Sequence, residues 1–248
     1  MADDAILLEA RDIVVAFGSF RAVDGASLSI RKGEIIGLIG PNGAGKSTFF
    51  NCLAGERQPQ SGTILLRGQD VTRATPEAHA RHGLARTWQV PAVFDDLSVR
   101  ENVMVGAFLR HPRASDAAAA AEKVIDFTGL RHIAESRSGS LGTPARKRLE
   151  IARALATEPE ILLLDEALAG LTPTEVRLAI ELVRQIHARG ITLVIVEHVM
   201  EVILSLTNRA VVFHQGKVIS QGAPREVVQD PKVIEAYLGR SLNRKASA

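Results

Sequence analysis

The sequence is poor in cysteine, in excess charge of either sign and in long apolar runs. Its 248 residues include one cysteine, Cys52, so no internal disulfide can form. A single thiol fits a reducing compartment and reads as a small buried hydrophobe rather than a nucleophile. Thirty basic and 28 acidic side chains leave a formal net charge of +2, too balanced to call for a nucleic-acid partner. Apolar runs such as 161–164 and 191–196 are far below the roughly 20 residues needed to cross a bilayer. The N-terminal Met-Ala-Asp-Asp is acidic and has no basic stretch of the secretory kind. These absences lead to the expectation of a soluble, cytosolic chain that reaches a membrane only through a partner. No internal repeat is visible.

What is present is more specific. Apolar residues make up 46% of the chain, ample for a core, and the length suggests one or two domains. Gly40-Pro41-Asn42-Gly43-Ala44-Gly45-Lys46-Ser47 fits the phosphate-loop pattern G-x-x-x-x-G-K-[ST] without a mismatch. The glycines let the backbone form a nest of N–H groups around phosphates. Lys46 then reaches the β- and γ-phosphates, Ser47 ligates Mg²⁺, and Thr48 follows at the start of a helix. Residues 34–39 read as a buried strand leading in and 47–54 as a helix leading out, the context the motif requires. The chain is therefore expected to bind a nucleoside triphosphate.

A second motif lies 119 positions further on. Ile161-Leu162-Leu163-Leu164-Asp165-Glu166 is an apolar strand ending in two acids. Buried parallel strands are near-continuously apolar, and ligands sit beyond their carboxyl ends. Asp165 is suited to organise Mg²⁺ through its water shell, and Glu166 to polarise a water for attack on the γ-phosphate. An Asp-Glu pair alone is usually a solvated strand end; the intact phosphate loop gives this one its meaning.

Around these motifs the pattern is β-rich to about residue 85, with strands at 7–17, 26–30 and 62–66. From Val99 to about Thr128 alanines are dense and helices are expected. After Ser140 helix and strand alternate: helices at 145–157, 173–189 and 198–206, strands at 161–164, 191–196 and 210–213. That alternation predicts an α/β fold with a mostly parallel sheet. The tail from Asn243 is polar and expected to fray.

At this point the residues resemble the ATP-binding subunit of an ABC transporter over nearly the whole chain. The resemblance implies one nucleotide-binding domain over residues 1–248. It would have a P-loop NTPase core, an N-terminal antiparallel β-subdomain, an inserted α-helical subdomain at about 90–158 and a tail at about 240–248. Arg86-Thr87-Trp88-Gln89 resembles the Q-loop, where Gln89 would touch the Mg²⁺ and water site. Val196-Glu197-His198 resembles the switch segment, in which His198 would hydrogen-bond the γ-phosphate. Phe17 resembles the aromatic that stacks on adenine. Phe94 to Val103 is similar to the segment that meets the transmembrane subunit's coupling helix, and Ala169 to Glu175 to the D-loop. Asp230 to Gly239 is similar to the ending of branched-chain amino acid importer subunits of the LivG/LivF type.

One motif departs from the family. The signature, usually L-S-G-G-Q, falls on Leu141-Gly142-Thr143-Pro144-Ala145 when counted back from Arg153. A register shifted by two residues would make Ser140 the signature serine instead. In the first register Gly142 lacks the hydroxyl and Pro144 lacks an N–H, while Pro still suits a first helical turn. Each lost hydrogen bond to a charged group is worth about 1.5–3 kcal/mol, so this half-site is expected to be weakened but not abolished. Ala167 also replaces the usual Pro after Asp-Glu.

The resemblance implies ATP and Mg²⁺ as cofactors and two transmembrane permease subunits as partners. A periplasmic substrate-binding protein would act indirectly, at the cytoplasmic face of a bacterial inner membrane. No nucleic acid is implied. The altered signature adds the expectation of a second, different ATP-binding subunit with an intact signature. An export or lipid-handling subunit and a soluble non-transport ABC ATPase are the alternatives.

Overall fold

A computed structural model describes residues 5–238. The acidic N-terminal four residues, Gly239 and the polar tail beyond it lie outside the described residues. In chain order the elements begin with β1 (Ile6–Phe17), β2 (Phe20–Arg31), β3 (Ile35–Ile39), α1 (Lys46–Leu53), β4 (Ser61–Leu66) and β5 (Gln69–Asp70). There follow α2 (Pro76–Arg81), β6 (Leu84–Arg86), α3 (Val99–Ala107), α4 (Ala114–Phe127), α5 (Thr143–Leu155), β7 (Ile161–Asp165) and α6 (Pro173–Ala188). The chain continues through β8 (Thr192–Val196), α7 (Met200–Leu206), β9 (Arg209–His214), β10 (Lys217–Gly222), α8 (Pro224–Val227) and α9 (Pro231–Leu238).

These elements form two compact units, one of residues up to Thr75 and from Leu193 on, the other Pro76–Thr192. In the first, β3 is apolar and buried at every position, as a strand covered on both faces must be. It pairs in parallel with β8 (Ile35 opposite Leu193) and with β9 (Ile36 opposite Arg209). β10 runs antiparallel to β9. Helix α1 buries Phe49 and Phe50, and the Phe49 ring lies 5.1 Å from that of Phe213 on β9. A second sheet of this unit, ordered β2-β1-β4-β5, is wholly antiparallel. Cys52 is buried on α1, where burial pushes its thiol up to about 12, so it stays protonated and inert.

The second unit contains the parallel pair β6–β7 and a helical core. Val99, Val103, Ala107, Ala117, Ala121, Ile125, Leu149 and Ala152 form one buried cluster from α3, α4 and α5. The alanine run 117–121 earns its place here: Ala117 and Ala121, one turn apart, face inward and let the helices close. A capping box of Ser98 and Glu101 starts α3, and another of Thr172 and Glu175 starts α6.

Most expected elements appear within two residues. Helix α5 starts at Thr143 rather than 145, since Pro144 is tolerated in a first turn. Helix α7 starts at Met200 rather than 198, because Val199 is extended and caps it. The elements α2, β5, β6, β10, α8 and α9 are additions. Gly106 lets α3 approach α5 closely: a Cβ there would lie 2.2 Å from the Arg153 carbonyl oxygen of α5. Gly106→Ala is therefore expected to lose about 1–3 kcal/mol through overpacking. A urea midpoint equal to that of the parent chain would contradict this packing.

Candidate functional site

The phosphate loop lies in the first unit, between β3 and α1. Two of its glycines are required by space. A Cβ on Gly40 (φ 147°) would sit 2.2 Å from the Phe213 oxygen, and one on Gly45 (φ 102°) 2.2 Å from the Ala22 oxygen. Backbone bonds tie the loop to its neighbours: Gly216 N–H donates to the Ala44 oxygen at 2.9 Å, and Ala44 N–H to Pro41 at 3.2 Å. Lys46 is buried, and its Nζ donates to the carbonyls of Gly40 (2.6 Å) and Pro41 (3.1 Å). Asn42, Gly43 and Ser47 are exposed, and Thr48 is half-buried. Gly45 caps α1 in a left-handed conformation, so the first helical N–H groups open onto the loop.

Two further expected residues lie in this unit. Phe17 ends β1 at a hairpin turn, 49% exposed, with the Arg57 guanidinium 4.6 Å from its ring centre. Gln60 fixes the backbone beside it, accepting from Ala16 N–H at 2.8 Å and donating back to Ala16 O at 2.9 Å. His198 is exposed in the link between β8 and α7, after the buried Glu197.

In the second unit, Asp165 ends β7 with its backbone N–H bonded to Thr87 Oγ1 at 3.2 Å. Its Oδ2 accepts from Arg86 Nη2 at 3.0 Å, both side chains nearly enclosed. A buried pair of this kind is held by both partners, and removing one leaves a bare charge at about 3–5 kcal/mol. Glu166 has φ 47°, a left-handed conformation uncommon for a residue with a side chain. Gln89 Nε2 donates to Glu166 Oε2 at 2.8 Å, and Lys147 Nζ of α5 donates to the Glu166 carbonyl at 2.8 Å. Asp165, Glu166 and Gln89 are thus brought together.

The altered signature opens α5. Gly142 is the N-cap with no side-chain bond, and Thr143, Pro144 and Ala145 form the first turn. Leu141 is half-buried against the helical core, Thr143 exposed. Ser140 is outside the helix, its hydroxyl donating to Arg137 O at 2.7 Å. The loop is tied to the 94–98 segment: Arg146 pairs with Asp95 at 2.9 Å and Gly139 N–H donates to Asp95 O at 3.0 Å.

Several participants carry no sequence signal of their own. Arg86 and Lys147 act on Asp165 and Glu166 across 79 and 19 positions. On α9, the Tyr237 hydroxyl accepts the Gly40 N–H; burial pushes the phenol up, and this bond pulls it partly back. Glu150 of α5 is buried and accepts the backbone N–H of Ala92 at 3.1 Å and that of Trp88.

Residues 23–169, more than half of the chain, match the family model described as ABC transporter. The chain belongs to the ABC transporter ATPase family. Residues 217–242 match a second model, described as branched-chain amino acid ATP-binding cassette transporter. Among relatives, the high-affinity branched-chain amino acid transport ATP-binding protein LivG of Escherichia coli is 38% identical over 95% of this chain and 98% of its own. The lipopolysaccharide export system ATP-binding protein LptB of Acidithiobacillus ferridurans is 36% identical over 94% and 97%. A crystal structure of a nucleotide-free ATP-binding cassette from an ABC transporter superposes with a TM-score of 0.86 at 30% identity, covering 95% of this chain and all of that one.

Membership makes the chain an ATP-binding, ATP-hydrolysing cassette with an α/β fold. Among the described residues no helix is long and apolar enough to cross a membrane. Within this cassette Glu150 gives a pH test. Burial is the largest influence on it and raises its carboxyl above the ordinary value of 4.5; the Ala92 and Trp88 N–H groups and Arg153 oppose this less strongly. A raised folded value means that its stabilisation is full below 4.5 and is lost as pH rises through that raised value. Glu150→Gln keeps an acceptor and cannot ionise. The melting temperature of the parent chain minus that of the variant is expected to fall as pH rises from 4.5; a constant difference contradicts the assignment.

Proposed function

We propose that this chain is one of two ATPase subunits of a branched-chain amino acid importer, and that its partner ATPase is a different chain. The observation that carries the importer reading is the match of residues 217–242 to the branched-chain amino acid model, on a chain with an unbroken phosphate loop. The likeness to a lipopolysaccharide export ATPase keeps an export role as the second reading, but nothing in that protein's name accounts for the C-terminal match.

In this reading Gly40 to Thr48 hold the triphosphate, with Lys46 on its β- and γ-phosphates and Phe17 against adenine. Ser47, Gln89 and Asp165 would hold Mg²⁺. The donors fit: a hydroxyl, an amide and one carboxylate are hard oxygen ligands, and Mg²⁺ keeps waters and phosphates for its other positions. Asp165 already faces a cationic group in Arg86, so its position tolerates positive charge. Bound there, Mg²⁺ would neutralise charge developing on the phosphates. Glu166 would accept a proton from the attacking water, its carboxylate oriented by the Gln89 amide and its backbone by Lys147. His198 would donate to the γ-phosphate.

The altered signature supplies the asymmetry. Gly142 at the N-cap of α5 supports the register in which it stands for the signature serine, and Ser140 is committed to Arg137. The helix still presents its dipole and remaining N–H groups, and Thr143 offers a hydroxyl. One ATP would be closed by the partner's signature and turn over; the other would meet Leu141–Ala145 and turn over slowly. Two permease subunits would convert the cycle to import at the cytoplasmic face of a bacterial inner membrane, supplied by a periplasmic binding protein.

The assembled complex in membrane vesicles tests both parts. Lys46→Ala in this chain is expected to abolish most ATP hydrolysis and uptake of branched-chain amino acids. Gly142→Ser with Pro144→Gly is expected to raise total hydrolysis toward about twofold, because one restored bond of about 1.5–3 kcal/mol brings the slow site up to the rate of the site that already turns over. The serine fits without strain, since a Cβ on Gly142 meets only Pro144 Cδ at 3.9 Å. Uptake indifferent to Lys46→Ala would sink the importer reading, and hydrolysis unchanged by the restored signature would sink the asymmetry.

A further inference from the structure

The chain leaving β6 brings a positive charge to the carboxylate that ends β7. The two strands run parallel, with Arg86 opposite Leu163, so Arg86 reaches forward to Asp165 and its Nη2 bonds Oδ2 at 3.0 Å. The pair is almost dry, with side chains 7% and 8% exposed. The guanidinium has a second anchor, Nε to the Thr87 carbonyl at 3.0 Å. It also lies 5.4 Å from the centre of the Trp88 ring. Arg153 of α5 approaches the same ring at 5.9 Å and the Phe94 ring at 5.3 Å. Trp88 is the single tryptophan of the chain and is partly exposed.

We propose that Arg86 is a positioning residue that supplies the counter-charge of Asp165 until a divalent cation arrives, and that its displacement then carries the cation's arrival to Trp88. The proposal rests on Asp165 being the carboxylate that organises Mg²⁺. A divalent cation brought close to this carboxylate repels the guanidinium already there, and the repulsion is weakly screened because the pair is enclosed. The Nε–Thr87 anchor favours a pivot over a departure. A pivot changes how the guanidinium lies on the indole, and a charge at that distance alters the ring's electrostatics. Arg86 also has a second acidic neighbour to turn toward: its charge already helps to hold the buried Glu150 carboxyl down. Glu150 in turn binds the backbone of Trp88 and Ala92, so the pivot stays within the segment that leads to Gln89 and Phe94. The arrangement gives Arg86 a task that a merely structural ion pair would lack.

Trp88 emission of the full-length chain, followed as Mg²⁺ is titrated at saturating ADP, reads this directly. Dialysis against radiolabelled ADP measures binding separately, in Mg²⁺ and in EDTA. The parent chain is expected to show a saturable emission change that requires Mg²⁺. Arg86→Lys keeps a charge for Asp165 but loses the planar contact with the indole. Its Mg·ADP affinity is measured alongside, and at concentrations that saturate the variant it is expected to lose roughly two-thirds of the emission change. Arg153→Lys, which removes the other guanidinium from the ring, is expected to keep most of it. The proposal is overturned if Mg·ADP binds without an emission change in the parent chain. It is equally overturned if Arg86→Lys retains the full change, or if Arg153→Lys loses as much as Arg86→Lys. ADP that fails to bind at all would refute instead the nucleotide reading on which the proposal depends.

Discussion

Two acids stand at the end of one buried strand, and the enclosed one, Asp165, must be met by a cation or by strong donors. Asp165 is met by Arg86 and the Glu166 carboxylate by the Gln89 amide, while Lys147 holds the Glu166 backbone carbonyl. Much of the second unit follows from that requirement. Arg86 and Gln89 lie three residues apart on the chain leaving β6, so meeting both acids fixes the path of that chain. Lys147 belongs to α5, so its bond to the Glu166 carbonyl ties the same strand end to the helix whose first turn is the altered signature. The left-handed backbone of Glu166 is the local strain this arrangement tolerates.

The segment 86–98 therefore has a hold at each end. Its start is gripped by the acids of β7. Its later part is gripped by α5 and the loop before it, through Glu150, Arg153 and Arg146, with Ser138 and Asn102 filling the turn. A movement of α5 would strain the Glu150 bond to the Ala92 amide, the Arg153 contact with the Phe94 ring and the Arg146 pair with Asp95. In the proposed function this would be the route by which events at a nucleotide reach the permease, and it uses side chains whose partners are already in place. In the first unit the loop 40–47 is constrained by contact instead. Gly40 and Gly45 lie where no side chain fits, and Tyr237 of α9 bonds the Gly40 amide. Residues 217–242, which carry the branched-chain match, thus include a contact with the phosphate loop itself.

The phosphate loop, the Asp165-Glu166 strand end and the alternation after Ser140 were legible because their chemistry is local. A run of eight residues specifies the nest, and a run of apolar residues specifies a buried strand. The helical content of 99–128 was legible from alanine density. The contacts that orient those motifs were not. Nothing in the sequence ties Arg86 to Asp165 or Lys147 to Glu166, because each bond exists only after distant elements pack. Strand β10 escaped notice because its half-exposed residues alternate weakly, and β6 because three residues carry no period. The departure at Leu141–Ala145 was legible as a departure. Gly142 at the N-cap of α5, with Ser140 bonded to Arg137, then supplied a local geometry for one of the two registers.

The central claim is that this cassette closes on a different subunit and not on a copy of itself. Sedimentation of the purified chain carrying Glu166→Gln, at saturating Mg·ATP, tests it most directly. Slowing hydrolysis should accumulate any closed dimer the chain can form. The account predicts that the chain stays monomeric with ATP bound, because each ATP would meet the altered signature of an identical copy. An ATP-dependent homodimer would contradict it.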